Sequence, residues 1–168
     1  NRLSTLPLHH RPMPLLEVSR LRVDLRTHRG SAPAVRDLSF SLERGQTLGI
    51  IGESGCGKSL SALSLLGLAP DNGTVSGSIR LEGRELVGLA DRDWRAIRGD
   101  RIAMIFQEPM TALNPVHTIG DQVTEPLRLH QGLRGRAARE RAVALLTRVG
   151  IRDAEQRLAA YPHQFSGG

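Results

Sequence analysis

Of the 23 lysine and arginine residues in this chain, one is a lysine, and the sequence holds one cysteine, one tryptophan and one tyrosine. A single thiol closes no intrachain disulfide, which agrees with a reducing compartment and leaves the fold to rest on its core. No stretch approaches the run of about 20 apolar residues that crosses a bilayer. The opening NRLSTLPLHHRPMPLL lacks the continuous apolar segment of a secretory signal, so the chain is expected to stay in the cytosol. Aromatic residues make up only 3%. The apolar and charged contents are those of a soluble globular protein, which excludes disordered and fibrous classes. At 168 residues the chain fits one domain with subdomains and can bury a sizeable core.

The formal charge of +6 would suit a polyanionic partner, but the arginines are scattered. The densest group, Arg134, Arg136, Arg139 and Arg141, flanks an apolar pattern and reads as the solvated face of a helix. No nucleic-acid partner is expected from it.

Along the chain, residues 1–14 carry three prolines and no apolar periodicity, as a leader or linker does. LLEVSRLRVDL and VRDLSFSL alternate apolar and polar residues, the signature of half-buried strands, and ERG marks the turn after them. QTLGIIG and RIAMIF are short apolar runs suited to buried central strands, the second ending at Gln107. KSLSALSLLGL and DRDWRAI are helical patterns, and TVSGSIRLEGREL reads as strands around turns. From IGDQVTEPLRLH onward the patterns are helical, through RAARERAVALLTRVG, stopped by Gly150, to DAEQRLAAY. The predicted organisation is an α/β core with an antiparallel β part over residues 15–109, followed by a helical subdomain over residues 110–168.

The lone lysine lies in Gly52-Glu53-Ser54-Gly55-Cys56-Gly57-Lys58-Ser59, which fits G-x-x-x-x-G-K-[ST], with Leu60 next in the helix that follows. Glycines let backbone N–H groups curl into an anion nest, and the helix start adds the positive end of its dipole. Lys58 would set a compact charge on the β- and γ-phosphates, where a broad planar guanidinium does not serve. Ser59 would offer a hydroxyl to Mg²⁺. The expected ligand is therefore a magnesium nucleoside triphosphate. Cys56 reads as a small filler at a variable position, since nothing nearby in sequence resembles a resolving cysteine.

A phosphate-binding loop alone does not choose among GTPases, kinases, helicases and transport ATPases. Two further stretches, IFQEPMTALNP and YPHQFSGG, follow GESGCGKS in an order that resembles the ATP-binding subunits of ABC transporters, and in particular those of bacterial dipeptide, oligopeptide and nickel importers. The resemblance covers residues 15–168 and implies an α/β P-loop NTPase core with an antiparallel β subdomain and a partial helical subdomain. It makes Gln107 the glutamine that meets Mg²⁺ and the attacking water and relays nucleotide state to membrane subunits. Ser166, Gly167 and Gly168 become the start of a signature motif acting on the γ-phosphate held by a second subunit.

The same resemblance implies ATP and Mg²⁺ as ligands, and as partners a second ABC ATPase subunit, transmembrane permease subunits and, indirectly, an external solute-binding protein. It places the protein peripherally on the cytoplasmic face of the bacterial inner membrane. The family's second Mg²⁺ aspartate, catalytic glutamate and switch histidine would fall beyond Gly168, so a partial chain without turnover of its own is expected. Leu25 stands where the family has an aromatic residue against adenine, leaving either Leu25 or His28 to meet the base. A soluble ABC-type ATPase acting on nucleic acid or ribosomes shares the loop and signature, and QEPMTALNP speaks for the importer reading.

Overall fold

The computed structural model describes residues 13–107 and 112–165. They form two compact units that divide between Trp94 and Arg95. Most of the expected leader, part of QEPMTALNP, and the signature residues Ser166, Gly167 and Gly168 lie outside the described residues.

The first unit is built on a four-stranded antiparallel sheet in the order β2-β1-β3-β4. β1 (Leu16–Thr27) and β2 (Gly30–Leu42) form a long hairpin, and β3 (Gly73–Leu81) pairs with the other edge of β1 and with the short β4 (Arg84–Glu85). Val18, Leu21, Val23, Val35 and Ile79 fill its buried face. The predicted alternation is realised with breaks of register. Between Val18 and Leu21, β1 carries one residue more than either neighbour, and β2 gains a residue between Leu38 and Val35 and another between Val35 and Pro33. Each inserted residue is a bulge that bends the strand and turns its side chains. Arg20 and Asp37 sit at the first two with φ of 48° and 50°, a region non-glycine residues seldom occupy.

β4 carries one side chain that gathers four donors. The Glu85 carboxylate accepts hydrogen bonds from Ser78 Oγ (2.5 Å) and from the backbone N–H of Ile79 (2.9 Å), Val87 (3.0 Å) and Leu86 (3.1 Å). Burial pushes its pKa up, but these donors together outweigh burial and hold it below its ordinary value.

α1 (Lys58–Leu65) begins at Gly57 and ends in Leu66 and Gly67. Gly67 has a φ of 63°, and a Cβ there would collide with the indole of Trp94, which is 6% exposed and belongs to α2 (Asp91–Arg95). The chain's one tryptophan is thereby fitted against the end of the helix that follows the glycine-rich loop.

The second unit holds the helices expected from periodicity: α3 (Ile119–Gln131), α4 (Gly135–Arg148) and the short α5 (Ala154–Arg157). Ile119, Leu127, Ala142, Leu146, Ala154 and Leu158 make its core. Thr118 caps α3, its Oγ1 accepting from Asp121 N–H (3.1 Å) and donating to the Asp121 carboxylate (2.7 Å). Gly150, with a φ of 86°, ends α4 as expected.

Two expectations are corrected. QTLGIIG and RIAMIF are not strands in this structure: residues 46–52 have no ladder partner, and residues 102–107 show only an isolated bridge between Arg98 and Ile102. A buried parallel strand needs backbone neighbours on its flanks and cover on its faces. Among the described residues neither segment has them, and Ile51 (98%) and Ile105 (94%) stand exposed.

Candidate functional site: a glycine-rich anion loop

The loop from Gly52 to Gly57 is exposed or half-buried and leads directly into α1. Its glycines answer separate demands. A Cβ on Gly52 would lie 2.5 Å from Cys56 Sγ. Gly57 combines a φ of 92° with a close approach to β2, where a Cβ would lie 2.6 Å from the Ala34 carbonyl oxygen and 3.1 Å from Val35 Cγ2. Only glycine meets both conditions. The loop is therefore seated on the hairpin of the first unit at Ala34.

The start of α1 has no side-chain cap and no acidic residue in its first turn. Its leading N–H groups and its dipole thus have no side-chain compensation among the described residues, which is the arrangement an anion completes. Lys58 reaches back across the loop, and its ammonium donates to the carbonyls of Gly52 and Glu53, both at 2.6 Å, and approaches Cys56 Sγ at 3.5 Å. The cation is held over the loop by backbone atoms rather than by a carboxylate, so its charge is not neutralised there. Cys56 is exposed, as a filler at a loop tip would be.

α1 carries three serines with different fates. Ser61 and Ser64 are buried, and their hydroxyls donate back to the carbonyls of Gly57 (2.9 Å) and Leu60 (2.8 Å). Ser59 is exposed and its hydroxyl has no partner among the described residues. An exposed, unengaged hydroxyl beside an anion nest fits a hard cation that takes few protein ligands. No cluster of three or more histidine, cysteine, aspartate or glutamate side chains among the described residues could hold a metal by itself.

The remaining predicted site residues divide by location. Leu25 is half-buried in β1, paired with Ala32 of β2 and Gly73 of β3, and its Cδ2 fills the space beside Gly73. Ala32 is two residues from Ala34, so the Leu25 end of the hairpin lies next to the loop. His28 is exposed in the tight turn joining β1 and β2. Gln107 belongs to the second unit, exposed at a bend. Sequence reasoning overlooked the seating of Gly57 on Ala34 and the Glu85 hydrogen-bond hub. The seating joins residues distant in sequence and so leaves no local pattern, whereas the hub gathers residues 78–87 about a turn and follows no motif.

No described helix is long and apolar enough to cross a membrane. The sequence profile of the ABC transporter family matches residues 35–168. Over 156 residues the chain is 55% identical to a putative peptide import ATP-binding protein of Brucella abortus, covering 92% of this chain and 47% of that one. Over 154 residues it is 47% identical to the oligopeptide transport ATP-binding protein of Salmonella typhimurium, covering 92% and 46%. The chain spans about half the length of the curated relatives it matches. Among solved structures, the dimeric post-hydrolysis state of an ATP-binding cassette bound to ADP and Pi aligns with a TM-score of 0.76 at 24% identity, covering 90% of this chain and 63% of that one. That likeness shows the fold, an α/β P-loop NTPase core. With the motif, the seated loop and a profile over most of its length in agreement, the chain belongs to the ABC transporter family.

Proposed function

We propose that this chain is the nucleotide-binding part of an importer's ATP-binding subunit, in which binding and hydrolysis of ATP drive uptake of peptides or a related solute. The observation that carries the reading is the Lys58 ammonium held across the loop before an uncapped helix start, by the carbonyls of Gly52 and Glu53 rather than by a carboxylate. The N–H groups of the loop from Gly52 to Gly57, and those of Lys58, Ser59 and Leu60, cradle the phosphates. Lys58 trades its backbone partners for β- and γ-phosphate oxygens and neutralises charge as the terminal group departs. Ser59 holds Mg²⁺, which when bound screens the phosphate charge. Leu25 gives the base an apolar contact.

Gln107 positions the attacking water, meets Mg²⁺ and reports nucleotide state to the permease subunits. Ser166, Gly167 and Gly168 act on the γ-phosphate of a second ATPase subunit. The subunit works peripherally at the cytoplasmic face of the inner membrane, with an external binding protein delivering solute to the permease. The relatives named for peptide import support this assignment of solute class.

Titration of the chain with ATP and with ADP in magnesium tests the site. Lys58→Ala weakens ATP binding about 10- to 100-fold, the effect of one or two charge-assisted contacts, and ADP binding less. Equal losses for the two nucleotides would remove Lys58 from the terminal phosphates.

A further inference from the structure

We propose a second anion site, on the outer face of the β1–β2 hairpin, that binds a phosphoryl group between Arg20, Arg22 and Arg36. These residues, with Pro33 and Asp37, line a depression of about 640 Å³. Three arginines thus line one hollow, and Asp37 is the only carboxylate among its described lining residues.

The arrangement is imposed by the backbone. In a regular strand Arg20 and Leu21 would point to opposite faces with Val18 on the side of Arg20, since side chains alternate strictly. The bulge at Arg20 resets the phase, so Val18 and Leu21 are both buried and Arg20 and Arg22 are both exposed. The opposing bulge in β2 does the same for Arg36 and Asp37, which share one partner position across from Arg22. Two of the four described non-glycine residues with positive φ, Arg20 and Asp37, therefore line the same hollow. A left-handed conformation is unfavourable for a side chain with a Cβ at either position.

Neighbouring strands fix the distortion. Arg20 N–H donates to Ser39 Oγ at 2.8 Å. On the other flank Gly77, with a φ of 93°, lets β3 close on the Arg20 carbonyl, where a Cβ would collide. Strain braced from two sides marks a place where geometry is put to use.

The charges point to the ligand. Arg22 is already committed, its Nε and one terminal nitrogen forming a fork on the Asp24 carboxylate at 2.7 and 2.9 Å. Arg20 and Arg36 line the same hollow and have no ion pair among the described residues, so their guanidinium groups are uncommitted, whereas that of Arg22 is held by Asp24. Guanidinium forks match tetrahedral phosphate oxygens. Asp37 supplies an acceptor for a hydroxyl on the ligand and repels bare phosphate. The phosphoryl group could belong to a soluble metabolite or to a lipid headgroup, and both present the same oxygens.

The test is amide NMR of the chain titrated with inorganic phosphate, which reads this hollow and the glycine-rich loop separately. The expected result is saturable shifts at residues 19–22 and 36–39. Arg20→Gln with Arg36→Gln weakens these at least about tenfold and leaves the loop response intact, whereas Lys58→Ala does the reverse. Asp37→Asn, which tolerates the same backbone conformation, tightens phosphate at the hollow. Co-sedimentation with phosphatidylglycerol vesicles, against phosphatidylcholine controls, separates the sources: arginine-dependent sedimentation assigns the headgroup, and a phosphate response without it assigns a soluble ligand. The proposal is overturned if wild type gives neither response, or if the double glutamine variant keeps whichever response wild type shows.

Discussion

Replacing Gly57 by alanine should cost more than replacing Gly55, although both residues have positive φ, 92° and 81°. At Gly55 no atom of the described residues beyond its chain neighbours would lie within 4 Å of a Cβ, so alanine meets only the left-handed backbone penalty, about 1–2 kcal/mol. At Gly57 the same penalty applies, and the Cβ also lands 2.6 Å from the Ala34 carbonyl oxygen. That neighbour is main chain, at the bulge between the paired residues Pro33 and Val35, and cannot swing aside as the end of a flexible side chain does. Overpacking of this kind adds about 1–3 kcal/mol, giving about 2–5 kcal/mol in all. For a chain of this length that lowers Tm by about 4–20 °C, against about 2–8 °C for Gly55→Ala. Thermal unfolding followed by circular dichroism measures both, and ATP titration should show Gly57→Ala losing affinity as the loop lifts off β2. Val35→Ala in the same chain should not rescue it, because it removes only the 3.1 Å neighbour. Equal melting of the two alanine variants would refute the claim that Ala34 fixes the loop.

Glu85 titrates below its ordinary value in the folded state, so its contribution is present above the unfolded value and is lost as pH falls through the folded one. Glu85→Gln should therefore flatten the acid limb of the stability–pH curve while leaving its slope near neutrality unchanged; an identical acid limb would mean the hub is not felt. Thr118→Ala removes the α3 cap and should cost about 1 kcal/mol, or about 2–4 °C in Tm, with Thr118→Ser restoring most of it. If the proposed importer role and relay hold, Gln107→Ala in the assembled transporter should leave ATP affinity within a few-fold while strongly reducing transport and solute-stimulated hydrolysis; unchanged uptake per ATP in reconstituted vesicles would refute the proposed relay.

What the sequence made legible is what depends on near neighbours. The hairpin, the helices of the second unit and the loop before α1 each follow from period or motif, and Lys58 stood out by being alone. The fate of QTLGIIG and RIAMIF was not legible, because an apolar run states that burial is favourable and is silent on what covers it. Ile51 and Ile105 show the difference. The bulges had left a trace: buried positions Val18, Leu21 and Val23 are spaced three and then two apart, a slip that period two does not allow without an inserted residue. Leu25 kept its expected strand, and its contact with Gly73 depended on a partner strand far along the chain.

The fit of Trp94 against Gly67 gives the protein an optical consequence. The sole indole is shielded from water, so its emission belongs to one environment and carries no background from a second fluorophore of its kind. That environment is the far end of α1, a helix of eight residues, about 12 Å long, that begins at Lys58. Any ligand that tilts or draws in the helix alters the polarity around the ring, and excitation of the native chain reads the change without a label.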